Sequence, residues 1–455
     1  MNMLILSVSI GFNGVFSEQV TSSDSDIQLS VSEISWVCSV TSIGNMLGYL
    51  LSSYMNPMFG AIRVCQISAP LVAGGFTMVA LGKNFWVLLA GRLLLGIFNG
   101  ASSGPSTTHI GEISAPAFRG LLTSSMIAID MFGLMCTYLT GWLLGWRKMC
   151  LVMGITPMAF MFVVTLMLPR SPRWLVVRGY PTEEAERSLR FYFGQDYDAG
   201  KEIKGIQESL GDGHKHDASF FQVLSRLRHR HNLVPFLLVL AVNLFLVFSG
   251  GYTTSSFAPV IFKNVAGFSN PYMGSVLVGV ARFIASLICC VIINRLHRRT
   301  LLIVNAVLGG IGCLVTGCYF FFIEELSDYA WIPLTSILAV VFAMSLGISP
   351  MKNVLFGELL PNSIRSELGG VCLSFFGTSN FIMVYSFPLA VEAIGTYGVF
   401  WFFTLMHLIL LAFSMFCLPD TNGKSIEEIQ QIFVKKVPKP AADPVQVCIV
   451  KEPTV

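Results

Sequence analysis

The chain has 455 residues, of which 54% are hydrophobic and 12% charged, and its mean hydropathy is +0.68. A soluble domain usually carries about 25% charged residues, so this composition excludes an ordinary water-soluble protein. The formal net charge of +3 is small, and the sequence gives no indication of a nucleic acid partner.

Long apolar runs follow one another along most of the chain. A bilayer core about 30 Å thick requires roughly 20 apolar residues per helical span, and helices satisfy their backbone groups internally, as hydrocarbon demands. We therefore predict twelve membrane-spanning helices in two sets of six. The first set is 3–22, 34–53, 64–82, 86–108, 121–144 and 149–168, and the second is 233–262, 272–293, 300–322, 332–355, 368–391 and 396–418.

The spans divide the chain into four parts: an N-terminal six-helix bundle over 1–168, a loop with short helices over 169–232, a C-terminal six-helix bundle over 233–418 and a tail over 419–455. In the loop, Thr182 is a candidate helix cap and Gly194 a candidate stop. A second short helix is predicted over 198–210 and a third from about Ser219.

The positive charges lie mainly on one side of the predicted spans. An even number of spans puts both termini on that side, together with the arginine-rich loop after Arg170. The opposite segments are richer in acidic residues, such as Glu33 and Glu324. The positive-inside rule therefore predicts that both termini are cytoplasmic.

Motifs of other protein classes are missing from the sequence. It contains no Gly-rich phosphate loop, Cys/His metal pattern or nucleophile elbow. We predict that the chain is not an enzyme, uses no cofactor or metal and does not hydrolyse ATP. The eleven cysteines lie mostly inside apolar spans, which favours packing residues over disulfides.

A short internal repeat lies at equivalent places in the two sets. Gly111-Glu112-Ile113 precedes Pro116 and Arg119, and Gly357-Glu358-Leu359 precedes Pro361 and Arg365. Three further motifs are Pro169-Arg-Ser-Pro-Arg-Trp174, Asn294-Arg-Leu-His-Arg-Arg299 and Pro419-Asp-Thr-Asn-Gly-Lys424. Together with Gly91-Arg92, these motifs resemble the motifs of the sugar porters of the major facilitator superfamily and occur in the same order. The resemblance is closest to the insect facilitated trehalose transporters.

The resemblance implies an all-α membrane fold of two pseudo-symmetric six-helix bundles around a central cavity. The bundles would rock to expose a site near the midplane to alternate sides of the membrane. The charged motifs imply a cytoplasmic network of ion pairs that breaks and re-forms during this movement. Its candidate residues are Arg92, Glu112, Arg119, Arg173, Arg295, Arg298, Arg299, Glu358 and Arg365.

The sequence departs from the family where the sugar would bind. Ile127 stands near the family's helix-five glutamine, and the segments 246–252 and 349–353 have lost the family's glutamines, asparagine and tryptophan. Intramembrane charges stand at Asp130, Arg282 and Lys352 instead, and such charges usually face a cavity or a partner. We predict a solute-binding site formed by Asn13, Asp130, Ser249, Tyr252, Thr253, Arg282, Lys352, Asn353 and Asn380.

Asn13 bears on the coupling of transport. The resemblance implies that proton-linked members carry an ionisable aspartate where Gly11-Phe12-Asn13 places an amide. The leading hypothesis is therefore facilitated, uncoupled diffusion of a sugar such as trehalose or a hexose across the plasma membrane, with Asp130 as an alternative proton site. Two alternatives stay open: a carrier of an organic anion or zwitterion that uses Arg282 and Lys352, and a non-transporting sensor. The expected partners are a small solute and the lipid bilayer, and the sequence does not indicate an oligomeric state.

Overall fold

A computed structural model describes residues 2–22, 26–114, 116–211, 230–265, 270–293, 295–360, 362–419 and 433. Within these ranges every regular element is a helix, which confirms the predicted all-α class. Ten cysteines lie in the described ranges, and all ten are free thiols.

The first half contains six described helices and a π-helical turn, and side-chain caps mark the start of two of the helices. The elements are α1 (Asn2–Val20), α2 (Val31–Phe59), α3 (Ala61–Leu81), α4 (Phe85–Ile113), α5 (Pro116–Met149), a π-helical turn (Cys150–Ile155) and α6 (Thr156–Met167). Ser30 forms a capping box with Glu33 at the start of α2, and Asn84 caps α4. These side chains satisfy backbone N–H groups that have no partner within the helix.

Three short helices follow in the loop, namely α7 (Pro172–Val177), α8 (Thr182–Phe193) and α9 (Ala199–Gly211). The predicted stop is present, because Gly194 ends α8 with φ +102°, a conformation that favours glycine. The N-cap is Pro181, however, and Thr182 is the first helical residue. The helix predicted from Ser219 and nearly all of the tail lie outside the described residues.

The second half contains more interrupted helices. They are α10 (Arg230–Phe248), α11 (Gly251–Ser256), α12 (Ala258–Lys263), α13 (Pro271–Ile292), α14 (Arg298–Phe321), α15 (Ile323–Leu326), α16 (Trp331–Leu346), α17 (Ile348–Leu359) and α18 (Asn362–Phe416). The predicted spans over 233–262 and 332–355 are interrupted helices, and Trp331–Leu359 taken together is long and apolar enough to cross a membrane. The first breaks at Gly250, where φ is +87°, and the second at Gly347.

Nine helices in the described ranges are long and apolar enough to cross a membrane. Two of these stretches contain two predicted spans each, joined at Gly145 and Gly395, where φ is +77° and +72°. With the interrupted helix between Arg230 and Lys263, the arrangement is consistent with twelve spans.

Close helix contacts hold each half together and join it to the other. Gly44 and Gly48 of α2 lie directly against Gly96 and Gly100 of α4, the small-residue packing typical of membrane helices. The two halves meet where α2 contacts α18 and where α5 contacts α13.

Candidate functional site

Two ends of the helical bundle serve as reference points. The loop face is the end that carries α7, α8 and α9. The far face is the opposite end, where α1 ends at Val20 and α13 begins at Pro271.

Polar contacts join the two halves at the far face. Glu18 of α1 lies 3.3 Å from the Lys263 ammonium of α12 and also accepts a hydrogen bond from the Tyr272 hydroxyl of α13. Nearby, the Tyr138 hydroxyl of α5 donates to the backbone carbonyl of Ser255. These contacts hold this side of the seam together.

A second contact across the halves lies between α2 and α18. Asn380 Nδ2 donates to Ser42 Oγ at 2.7 Å. Trp36 packs against the rings of Phe381 and Tyr385, with ring centroids 5.8 and 5.1 Å apart. Asn380, predicted to bind solute, thus also contributes to the seam, and its Oδ1 has no partner among the described atoms.

The break between α10 and α11 places several hydroxyl groups in the interior. Ser249, Thr253, Thr254 and Ser256 are each at most 1% exposed, and none of their hydroxyls has a partner in the described residues. An unmatched buried polar group costs about 1–3 kcal/mol. These hydroxyls are therefore suited to hydrogen bonding with a polar solute.

Arg282 and Lys352 provide positive charge inside the fold. The Arg282 side chain is 1% exposed; its Nε donates to Ser345 Oγ at 3.1 Å, and its Nη1 has no partner among the described atoms. Lys352 Nζ lies 4.3 Å from the centroid of the Phe376 ring, a cation–π contact. Neither cation forms an ion pair within the part of the chain that the structure describes.

Asp130 is the one buried carboxylate among the described residues. It lies beside Ser7 of α1 and interacts electrostatically with Arg282 and Lys352, although neither pair is close enough for a salt bridge. The predicted charges of α5, α13 and α17 therefore face one another across the two halves.

Tyr252 lies at the centre of these groups. Its buried hydroxyl lies within electrostatic range of Asp130, Arg282 and Arg92, and its ring packs edge-on against Phe376 with centroids 6.1 Å apart. Among the predicted solute contacts, Asn353 is the exception, because it is exposed on α17 and is not among the buried central groups.

Asn13 and Arg92 form a buried pair within the first half. Arg92 Nη2 donates to Asn13 Oδ1 at 2.7 Å, while Arg92 also donates to the backbone carbonyls of Val37 and Cys38 at 3.2 Å each. The Arg92 guanidinium lies 4.4 Å from the Phe12 ring centroid. All of these acceptors are neutral.

This placement corrects the predicted grouping of Arg92 with Glu112. The two residues stand 20 positions apart on α4, which at 1.5 Å per residue is about 30 Å. Arg92 lies toward the far face and Glu112 at the loop face, because α4 runs between the two.

The loop face contains the remaining charged motifs. In the second half, Arg298 lies 3.1 Å from Glu358 and also donates to the Ile293 carbonyl at 2.6 Å. Arg299 donates to the carbonyl of Met415 at the end of α18. Arg295, by contrast, is exposed.

Glu112 has a corresponding role in the first half. It accepts a hydrogen bond from Ser171, the N-cap residue of α7, and interacts electrostatically with the exposed Arg173. Both repeat glutamates therefore hold a neighbouring segment of their own half. The side chains of Arg119 and Arg365 lie outside what the structure describes.

Sequence reasoning missed the far-face contacts of Glu18. The available signal was a carboxylate at the end of the first span and a lysine, Lys263, on the same predicted side of the membrane. Opposite charges on one face are candidates for pairing, but the sequence does not indicate which helices meet there.

Known proteins resemble this chain along nearly its whole length. A family model described as "Sugar (and other) transporter" matches residues 3–433. The facilitated trehalose transporter Tret1 of Polypedilum vanderplanki is 31% identical over 408 residues, covering 89% of this chain and 80% of that protein. The facilitated trehalose transporter Tret1 of Apis mellifera ligustica is 27% identical over 444 residues, covering 96% and 88%.

Solved structures share the fold. The inward-open xylose transporter XylE from E. coli superposes with a TM-score of 0.78 at 21% identity, covering 95% of this chain and 98% of that one. The proton:xylose symporter XylE bound to 6-bromo-6-deoxy-D-glucose gives a TM-score of 0.74 at 23% identity, with the same coverage. At these identities the likeness shows the fold alone.

Proposed function

Since this chain belongs to the sugar (and other) transporter family, we propose that it carries a sugar-class solute down its gradient without coupling to protons. It is a multi-pass membrane protein with the major facilitator fold.

The pair of Asn13 and Arg92 carries the proposal of uncoupled transport. An amide does not ionise, so the 2.7 Å hydrogen bond between Arg92 and Asn13 does not depend on a proton. The other Arg92 acceptors, the carbonyls of Val37 and Cys38, are equally insensitive to pH. Neither side chain of this pair can therefore accept and release a proton during a transport cycle.

Alternating access supplies the mechanism. The buried hydroxyls near Ser249 belong to the second half, and the charges of Asp130, Arg282 and Lys352 come from both halves. The Glu18 contacts join these halves at the far face. We propose that these contacts break when the site opens to that face. The loop face is proposed to be cytoplasmic, with the protein in the plasma membrane, because the basic motifs lie there.

Trehalose is the first solute to test, because it is the substrate named for the relatives. The purified protein is reconstituted into liposomes, and uptake of labelled trehalose, glucose and xylose is followed with and without an inward proton gradient. We expect at least one of these labelled sugars to equilibrate across the membrane, with the same final level under both conditions.

Concentrative uptake under the proton gradient, with alkalinisation of the medium, would contradict the uncoupled mechanism. Asp130 would then be the residue to examine, since it is the one buried carboxylate in the described part of the chain. If Asp130 carries the proton, the Asp130→Asn variant would no longer accumulate solute under the proton gradient.

A further inference from the structure

The polar centre, formed by Asp130, Tyr252, Arg282 and Lys352, has an excess of positive charge. Arg282 and Lys352 interact electrostatically with Asp130, which is the one buried carboxylate among the described residues. A third cation, Arg92, lies within electrostatic range of Tyr252. Arg298 is the other buried arginine of the described chain, and it is paired with Glu358 at the loop face.

Uncompensated charge is costly in a membrane interior. A charge at bilayer depth is expensive, and buried charges in proteins are normally paired. Asp130 can offset one of the cations at most. An anionic solute would offset part of the remainder, whereas a neutral or zwitterionic solute would leave the excess unchanged.

We infer that the transported solute carries a carboxylate, and that it is a sugar acid such as glucuronate or gluconate. This inference rests on the proposed transport function and narrows its substrate class. Arg282 presents a buried Nη1 without a partner among the described atoms, and guanidinium N–H groups match carboxylate oxygens in geometry and charge.

The rest of the site suits the polyol part of the same molecule. The unpartnered hydroxyls of Ser249, Thr253 and Thr254 and the free Oδ1 of Asn380 can bind sugar hydroxyls. The rings of Tyr252 and Phe376 provide apolar surface for the C–H groups of a sugar. Cationic donors and buried hydroxyls without partners are the combination that a sugar acid requires.

The test compares solutes of different charge in the same proteoliposomes. Uptake of labelled glucuronate, glucose, trehalose and the zwitterion glycine betaine is measured, with the membrane potential clamped at zero or inside-positive by a potassium gradient and valinomycin. We expect saturable glucuronate uptake at least about tenfold above that of glucose, equivalent to about 1.4 kcal/mol. An inside-positive potential is expected to increase glucuronate uptake and leave glucose uptake unchanged.

Two variants with opposite expected effects separate charge from folding. Lys352→Gln should raise the half-saturation concentration for glucuronate about tenfold or more, and Asp130→Asn should lower it. The control Lys201→Gln, which removes a positive charge from the exposed surface of α9, should leave it unchanged. A general folding defect could not move the two variants in opposite directions.

The outcomes distinguish the two proposals. Glucose or trehalose uptake without glucuronate uptake would overturn the inference and leave the transport function standing. Preferred uptake of glycine betaine, or equal responses of both variants, would also overturn it. If none of the solutes entered, the transport function itself would fail, and the inference with it.

Discussion

Glu18 of α1 and Lys263 of α12 belong to different halves of the bundle, and their charged atoms lie 3.3 Å apart at the far face. The Tyr272 hydroxyl of α13 donates to the same carboxylate. Glu18 therefore binds two separate helices of the other half. Because Lys263 is 44% exposed and Glu18 12% exposed, solvent screens the ion pair, and its contribution to closure is about 1 kcal/mol or less.

Glu18→Gln should increase the fraction of molecules that are open at the far face. The neutral amide loses the ion pair and keeps only weaker hydrogen bonds. Val260 lines a cavity of about 160 Å³ at this seam, so a cysteine placed there by Val260→Cys reports opening through its reaction with an impermeant maleimide. We expect the reaction, followed by mass spectrometry at that position, to become several times faster.

The matched control is Glu324→Gln, which removes an exposed carboxylate from α15 on the same face. It should leave the labelling rate at position 260 unchanged. Equal rates in the Glu18 variant and the parent would show that these contacts do not hold the far face closed.

Glu358→Gln should destabilise the second half at the loop face. The substitution removes the negative charge 3.1 Å from Arg298, which is only 9% exposed. A hydrogen bond to a charged group contributes about 1.5–3 kcal/mol, so the melting temperature in detergent should fall.

The sequence also predicts that Glu358→Gln shifts the balance between inward-facing and outward-facing states, which cysteine probes on both faces would measure.

A double-mutant cycle isolates the contribution of this pair. Arg298→Gln and the double variant Arg298→Gln/Glu358→Gln are measured beside the single glutamate variant. If the pair is responsible, the double variant should lose less stability than the sum of the two singles. Strict additivity would mean that the two side chains act independently.

Asn13→Asp should place an ionisable group next to the buried Arg92. The substituted carboxylate would occupy the acceptor position now 2.7 Å from Arg92 Nη2. If the amide is the reason for uncoupled transport, the variant should show a pH dependence of uptake that the parent lacks. The measurement is solute uptake into proteoliposomes between pH 5.5 and 8, with Asn13→Gln as the uncharged control.

Identical pH profiles for all three proteins would mean that position 13 does not set the coupling. A pH dependence shared by parent and variant would instead direct attention to Asp130, the buried carboxylate of the described residues.

Most of the fold could be predicted from the sequence, because each membrane-spanning helix is recognisable from its own run of apolar residues. Apolar length predicts each span, and the joins at Gly145 and Gly395 fall where the apolar runs pause. The break at Gly250 was missed because Gly250-Gly251 lies inside an otherwise continuous apolar run. Local composition therefore predicts that a helix is present more reliably than it predicts whether that helix is unbroken.

The site was harder to predict because its contacts join distant parts of the chain. The charges at Asp130, Arg282 and Lys352 were recognised from their unusual place in apolar spans, and the structure brings them together. Arg92 was assigned to the wrong end of α4 because a motif identifies a residue type without its depth. The contact of Asn380 with Ser42 joins two halves whose relative placement no local pattern specifies.

Gly96→Ala should destabilise the first half, since the substitution acts on a very close contact between α2 and α4. A Cβ at position 96 would lie 2.3 Å from the Thr41 carbonyl oxygen and 2.8 Å from the Gly44 Cα. Both neighbours are backbone atoms of a packed helix, so the helices must separate. Overpacking of this kind costs about 1–3 kcal/mol, which should appear as a lower melting temperature by fluorescence-detected size exclusion.

Gly74→Ala is the matched control, because a Cβ there meets no atom within 4 Å, and alanine favours the helix over glycine by about 1 kcal/mol. The control should therefore melt at or above the parent temperature, and a Gly96→Ala protein that did the same would show that the two helices do not require this close approach.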